Sequence, residues 1–291
     1  MANYISDFSK SRWVVYTPER VNRTGMNGKE DRCPFCPGNE EDTPPEVFRT
    51  GGGKKDKPGW TVRVVPNMFP ITDVHEVVIH STDHSKNIED LSQAEVAEIL
   101  KTYVNRFNFL KTKGKVFIFC NQSLASGASL IHPHSQITVV PFDIPTVTLP
   151  VQPIVNIVEQ NNSFISYCPD FSEWPYEMFI KETRNNNQET NKFQNLNNQK
   201  IKDLAIILQS MLIRLKKVHD ASAHYSKKPF GYNFYIFVPD HPKGVQDWYL
   251  RIIPRFSERA GFELSTGIMV NSVEAKRASQ ELKLSRHNFT S

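Results

Sequence analysis

Ile131-His132-Pro133-His134-Ser135-Gln136-Ile137 leads into an apolar run that ends at Val140. The run reads as a β-strand. Side chains alternate faces along a strand, so His132, His134 and Gln136 are expected to point the same way. Two imidazoles and a carboxamide make a poor core but a good reaction platform. Imidazole can bind a metal, carry a proton or attack phosphorus, and an amide can hold a phosphate oxygen. The competing reading is the polar outer face of an edge strand, which Pro133 would tolerate.

Working outward, strand-like runs stand at Trp60 to Val65, Glu76 to His80 and Val116 to Cys120. Between them, Ser92 with Glu95 three residues on forms a capping box. Val96, Ile99, Leu100, Val104 and Phe107 follow at helical spacing. The second half repeats that order. Strands are expected at Phe164 to Tyr167 and Glu177 to Ile180, a helix over Ile201 to Val218, and strands at Tyr232 to Val238 and Trp248 to Ile253. Two β-β-α-β-β units imply an internally duplicated α+β fold, with antiparallel sheets and helices packed on them. The expected division is 1–148 and 149–291, although the halves share little residue identity.

Pro141 to Pro153 reads as an extended linker, and the asparagine-rich stretch Arg184 to Gln199 as a mobile surface loop. Gly51-Gly52-Gly53-Lys54-Lys55 lacks the spacing of a phosphate loop and reads as a hairpin tip.

The 291 residues suffice for one large domain or two small ones. A formal charge of +4 suits anionic small molecules and lacks the basic stripe of a nucleic-acid binder. No apolar stretch approaches membrane-spanning length, and Met1-Ala2-Asn3-Tyr4 opens no signal peptide, so a cytoplasmic location is expected.

Cys33-Pro34-Phe35-Cys36 has the two-residue gap that lets both thiolates reach one zinc ion. His75, His80, His84 and His132 are candidate partners. Two thiolates and two imidazoles would close a tetrahedral, structural site. If His132 is a ligand, the metal also fixes the aim of His134. Cys120 and Cys168 lie in apolar segments and read as core thiols.

These residues together resemble the galactose-1-phosphate uridylyltransferase family of the histidine-triad superfamily. The likeness covers most of the chain. It runs from Arg12-Trp13-Val14-Val15-Tyr16-Thr17-Pro18-Glu19-Arg20 through Cys33-Pro34-Phe35-Cys36-Pro37-Gly38-Asn39-Glu40 and Pro66-Asn67-Met68-Phe69-Pro70. It continues at Asp83-His84-Ser85 and over Asn121 to Gln136, which contains Ser126-Gly127-Ala128-Ser129, and closes at Gly261-Phe262-Glu263-Leu264-Ser265-Thr266-Gly267.

The resemblance implies two histidine-triad-like repeats, the first catalytic and zinc-binding, the second degenerate. It implies that His134 attacks the α-phosphorus of a nucleotide sugar, with Gln136 and Ser129 holding phosphate oxygens. It implies one zinc ion on Cys33, Cys36, His84 and His132. Asn67, Asn121 and Gly127 would line the nucleotide site, Arg20 and Arg23 the phosphates, and Phe262, Glu263, Thr266 and Gly267 would contact substrate. A homodimer whose sites draw on both subunits is expected. The reaction implied is exchange of UMP between UDP-glucose and a hexose 1-phosphate, galactose 1-phosphate first among them. An adenylyl-transferring phosphorylase acting on ADP-glucose or a dinucleotide, and an inactive zinc-containing nucleotide-binding protein, are the alternatives. In the second repeat the answering strand reads Asp247-Trp248-Tyr249-Leu250-Arg251, with neither imidazole nor glutamine, so that half is expected to be catalytically silent.

Overall fold

The computed structural model describes residues 2–22, 32–146, 149, 152–183, 192–239 and 247–285. A small hairpin, β1 (Asn3–Ser6) and β2 (Trp13–Tyr16), precedes the main body. The first repeat comprises β3 (Phe48–Gly51), β4 (Trp60–Pro66), β5 (Val74–Ile79), α1 (Gln93–Leu110), β6 (Lys115–Gln122) and β7 (His134–Val140). The second comprises β8 (Ile157–Gln160), β9 (Phe164–Tyr167), β10 (Met178–Glu182), α2 (Asn198–Ala221), β11 (Tyr232–Phe237) and β12 (Tyr249–Pro254). Two short helices follow, α3 (Gly261–Thr266) and α4 (Ala275–Leu284).

The α+β duplication read from the sequence is present, with two corrections. Each repeat has three strands before its helix, because β3, Phe-Arg-Thr-Gly, and β8, Ile-Val-Glu-Gln, hold too few apolar residues to register as runs. The repeats also share one sheet rather than holding two. Its order is β3-β4-β5-β7-β6-β11-β12-β10-β9-β8, with every pairing antiparallel. Each half has the same internal order, and they join through β6 and β11, where Phe119 pairs with Tyr235.

Both helices lie on one face of this sheet. Val96, Ile99, Leu100 and Tyr103 of α1 and Leu204, Leu208, Met211 and Leu215 of α2 bury one stripe each against Ile118, Ile137, Phe234 and Ile252. Ser92 caps α1, accepting from Glu95 N–H, while Glu95 reaches back to Ser92 N–H at 2.8 Å. Loss of such a cap costs about 1 kcal/mol.

The Asn-rich stretch ends earlier than the sequence implied. Residues 184–191 lie outside the described residues, but Phe193 is buried in the core and Asn197 caps α2 by accepting from Lys200 N–H at 2.9 Å. Asparagine here serves a helix start, not a loop. The triple glycine does sit at the tip of the β3–β4 hairpin, with Gly52 N–H donating to Gly59 C=O. Among the described residues no helix is long and apolar enough to cross a membrane.

Candidate active site and metal centre

The face of the sheet away from the helices carries the chemistry. The strand that holds it begins at His134, so His132 precedes the strand and the expected three-residue alternation covers only His134 and Gln136. The edge-strand reading fails outright, because β7 is hydrogen-bonded to β5 on one side and β6 on the other. Pro133 lies just outside the ladder, with its carbonyl accepting from His80 N–H.

Cys33, Cys36, His84 and His132 converge, each offering a ligand atom within 4.8 Å of the others. His132 Nδ1 stands 3.7 Å from Cys33 Sγ and 3.6 Å from Cys36 Sγ, and His84 Nδ1 is 3.4 Å from Cys36 Sγ. His132 Nε2 donates to the Ser81 carbonyl at 2.9 Å, which turns the Nδ1 lone pair toward the sulfurs. Burial holds His132 down at about 4, so the ring is neutral and able to ligate. Burial, with a further push from the neighbouring Cys36 thiol, lifts Cys33 to about 11. Two neighbouring cysteine sulfurs are a donor pair whose protons a divalent cation would displace on binding. The cluster can therefore bind a metal ion, and its Cys2His2 composition is consistent with zinc. His75 and His80, the other candidates, are not part of it.

The loop bearing the cysteines is pinned from behind. Glu40 Oε1 accepts from Trp60 Nε1, and the buried Arg63 guanidinium bonds Glu46, Asp56, Thr43 and the Glu40 carbonyl. These contacts set Phe35 edge-on to the His134 ring, centroids 5.4 Å apart.

His134 lines a cleft of about 320 Å³, together with Phe35, Asn67, Phe69, Val77 and Ser129. Its Nδ1–H donates to the His132 carbonyl at 2.9 Å, which leaves the lone pair on Nε2, the nitrogen a phosphorus electrophile would meet. Gln136, two residues along β7, shares that face and is buried. Its Oε1 lies 2.9 Å from His75 Nε2. Arg20, on a 3-10 turn, donates to the Phe69 carbonyl and so sits at the cleft's lip. Arg23 lies outside the described residues.

Asn121 precedes the loop that leads to Ser129. Its Oδ1 accepts from Asn233 Nδ2 at 2.8 Å, and Asn233 also reaches the Ser126 carbonyl at 2.9 Å. Gly127 takes a left-handed conformation, φ +85°, at the end of a single 3-10 turn. Nothing lies within 4 Å of where its Cβ would stand, so backbone conformation and not space calls for glycine. Asn233 was missed in the sequence because its role depends on β11 pairing with β6, a long-range register that no local pattern reports.

Phe262, Glu263, Thr266 and Gly267 are not brought to this cleft. They sit on and just after α3, Glu263 half-buried and the other three exposed, with Phe262, Leu264, Ile268 and Val270 all turned to solvent.

Residues 70–141 match the family described as galactose-1-phosphate uridyl transferase, N-terminal domain. An ADP-glucose phosphorylase from Arabidopsis thaliana is 26% identical over 90% of this chain and 87% of its own. A galactose-1-phosphate uridylyltransferase from Thermotoga maritima is 23% identical over 93% of this chain and 94% of its own. Among solved structures, a uridylyltransferase superposes with a TM-score of 0.77 at 20% identity, covering 100% of both chains. The crystal structure of an ADP-glucose phosphorylase from Arabidopsis thaliana with bound ADP-glucose gives 0.71 at 24% identity, covering 97% of this chain and 99% of that one. The structural likeness is one of fold. With the sequence matches, it bears out the resemblance to the galactose-1-phosphate uridylyltransferase family.

Proposed function

We propose that the chain is a nucleotidyltransferase that passes a nucleoside monophosphate from a nucleotide sugar to a phosphate-bearing acceptor through a nucleotidyl-histidine. The observation that carries this reading is the His134 ring, held at Nδ1 by the His132 carbonyl and set in the cleft wall. In the first displacement His134 Nε2 attacks the α-phosphorus of UDP-glucose. The N–P bond forms, the bond from that phosphorus to the bridging oxygen breaks, and glucose 1-phosphate leaves with the electron pair. In the second, a phosphate oxygen of galactose 1-phosphate attacks the same phosphorus and imidazole departs. One difficult exchange between two anions becomes two displacements at one site.

In this reading Gln136 and Ser129 hold non-bridging oxygens as charge shifts, Asn67 and Asn121 serve the nucleotide end, and Arg20 serves the phosphates. A zinc ion on Cys33, Cys36, His84 and His132 would supply rigidity alone, since four protein ligands leave no open position for substrate. A homodimer accounts for the exposed apolar stretch at α3. Phe262, Glu263, Thr266 and Gly267 then serve the partner's cleft rather than their own.

The second reading exchanges uridylyl for adenylyl transfer, with ADP-glucose as donor and inorganic phosphate as acceptor. It is favoured by the similarity to an ADP-glucose phosphorylase over nine-tenths of the chain.

Isotope exchange tests both. A ping-pong enzyme scrambles labelled glucose 1-phosphate into the nucleotide sugar with no second acceptor present. Exchange with UDP-glucose supports uridylyl transfer, and exchange with ADP-glucose alone supports the second reading. Net turnover without exchange from either donor contradicts the covalent route.

A further inference from the structure

His75 is buried on β5, at the end of the strand that pairs with β7, and is absent from the metal cluster. Its hydrogen bonds determine its tautomer. The backbone N–H of Ile71 donates to His75 Nδ1 at 3.1 Å, so Nδ1 carries no proton. The proton is therefore on Nε2, which faces Gln136 Oε1 at 2.9 Å. A donor at that position can face only the oxygen of the amide, because the opposite flip would set N–H against N–H. Asn67 cannot take the bond instead. Its own Oδ1 accepts from Phe69 N–H at 2.8 Å, which leaves its Nδ2 3.2 Å from His75 Nε2, a group with no acceptor to offer and farther away than Gln136 Oε1 at 2.9 Å.

We infer that His75 is a positioning residue that sets the polarity of the Gln136 amide, turning its NH2 rather than its oxygen toward the transferring phosphoryl group. This rests on the reading above, in which Gln136 meets a phosphate oxygen. An anion needs donors, and a carboxamide offers them from one end only. Rotation about the last torsion of glutamine costs little, so an unheld Gln136 would present its oxygen to the anion for part of the time. The chain from the Ile71 amide through His75 to Gln136 removes that state before substrate arrives, as preorganisation requires.

The experiment is a mutant cycle read in the half-reaction that exchanges labelled sugar 1-phosphate. Gln136→Ala should slow exchange about a hundredfold or more. His75→Phe removes both polar atoms. His75→Asn can still accept from Ile71 N–H but cannot reach Gln136, which keeps the test valid if the phenylalanine variant does not fold. Each should lower kcat about ten- to a hundredfold, the scale on which loss of an orienting group is felt, with KM little changed. His75→Gln, which can place an NH2 where Nε2 stood, should recover most of the rate. In the Gln136→Ala background the same changes at His75 should cost less than about twofold, since there is no amide left to orient. Full loss in that background, or no loss in the wild-type background beside a slow Gln136→Ala, overturns the role of His75 and leaves the transfer mechanism standing. An unaffected Gln136→Ala removes the phosphate-holding role of Gln136, and the inference falls with it.

Discussion

Two strands in matching places of the two repeats are put to opposite uses. β7 and β12 each lie between the third and fourth strands of their repeat. In the first, Gln136 pairs across to Phe119 and Val77; in the second, Arg251 pairs across to Tyr235 and Phe179. Setting Phe119 on Tyr235 carries Gln136 onto Arg251 and His134 onto Tyr249. In the first repeat His134 lines the cleft, with the buried Gln136 next along the same strand face. In the second the face is filled by the chain itself. Arg251 bonds Glu177 at 2.7 Å, Glu173 at 2.8 Å and Tyr235 at 3.2 Å, with the Phe179 and Tyr235 rings about it, and Tyr249 packs on Phe179 and Phe237. A buried guanidinium with each of its three nitrogens bonded, two of them to carboxylates, and with aromatic rings about it occupies the face that borders a cleft in the first repeat. The same backbone yields a reaction platform where the strand borders a cleft, and a plug where a buried ion-pair network fills the matching face.

The largest effect expected from this contrast is catalytic. His134→Ala should lower turnover by about 10⁴-fold or more, since the two-step route has no substitute nucleophile. Tyr249→Phe, at the matching position, should stay within a few-fold. A comparable loss at Tyr249 would mean that both repeats do chemistry.

Next comes stability. Glu177→Ala strips one partner from the buried Arg251 and should cost about 3–5 kcal/mol in unfolding free energy. Activity should survive at temperatures where the variant stays folded. Denaturant titration beside assay reads both, and an inactive but fully stable variant would break the division of labour.

The metal centre belongs to the first half alone in this account. Purified protein should hold about one zinc per chain, and Cys36→Ser should lower both zinc content and melting temperature. The Cys33 thiol is raised to about 11, so ligation must displace protons, and metal retention should weaken steadily as pH falls. Elemental analysis after dialysis at stepped pH checks the sign. Retention that improves with acid would refute the thiolate assignment.

The smallest effect expected joins the halves. Asn233, from the second repeat, steadies Asn121 and the Ser126 carbonyl of the first. Asn233→Ala should cost about 1–2 kcal/mol of transition-state stabilisation, roughly five- to thirtyfold in kcat/KM. An unchanged rate would make the second repeat a passive scaffold at this point.

What the sequence reveals and hides follows the range of the interactions. The long strands, both helices and the Ser92 cap are local, and they read from periodicity and capping chemistry. The edge strands β3 and β8 do not, because four residues of which half or more are polar or glycine do not separate from a loop, whereas the equally short β9 is three-quarters apolar. Cys33, Cys36, His84 and His132 were legible through spacing and resemblance, while the roles of His75 and Asn233 appear only when the sheet order brings distant strands together. The sequence also placed His132 on the strand, whereas Pro133 keeps it in the approach, turned to the sulfurs.

Peptide mapping of the covalent adduct tests the central claim most directly. The protein is incubated with UDP-glucose and, separately, with ADP-glucose, without acceptor, and digested under mildly alkaline conditions that spare a phosphorus–nitrogen bond. One nucleotidyl group per chain is expected, on the peptide containing His134, gone when hexose 1-phosphate or phosphate is supplied and absent from His134→Ala. A nucleotidyl group on any residue of the second repeat, or on the first repeat of His134→Ala, would contradict it.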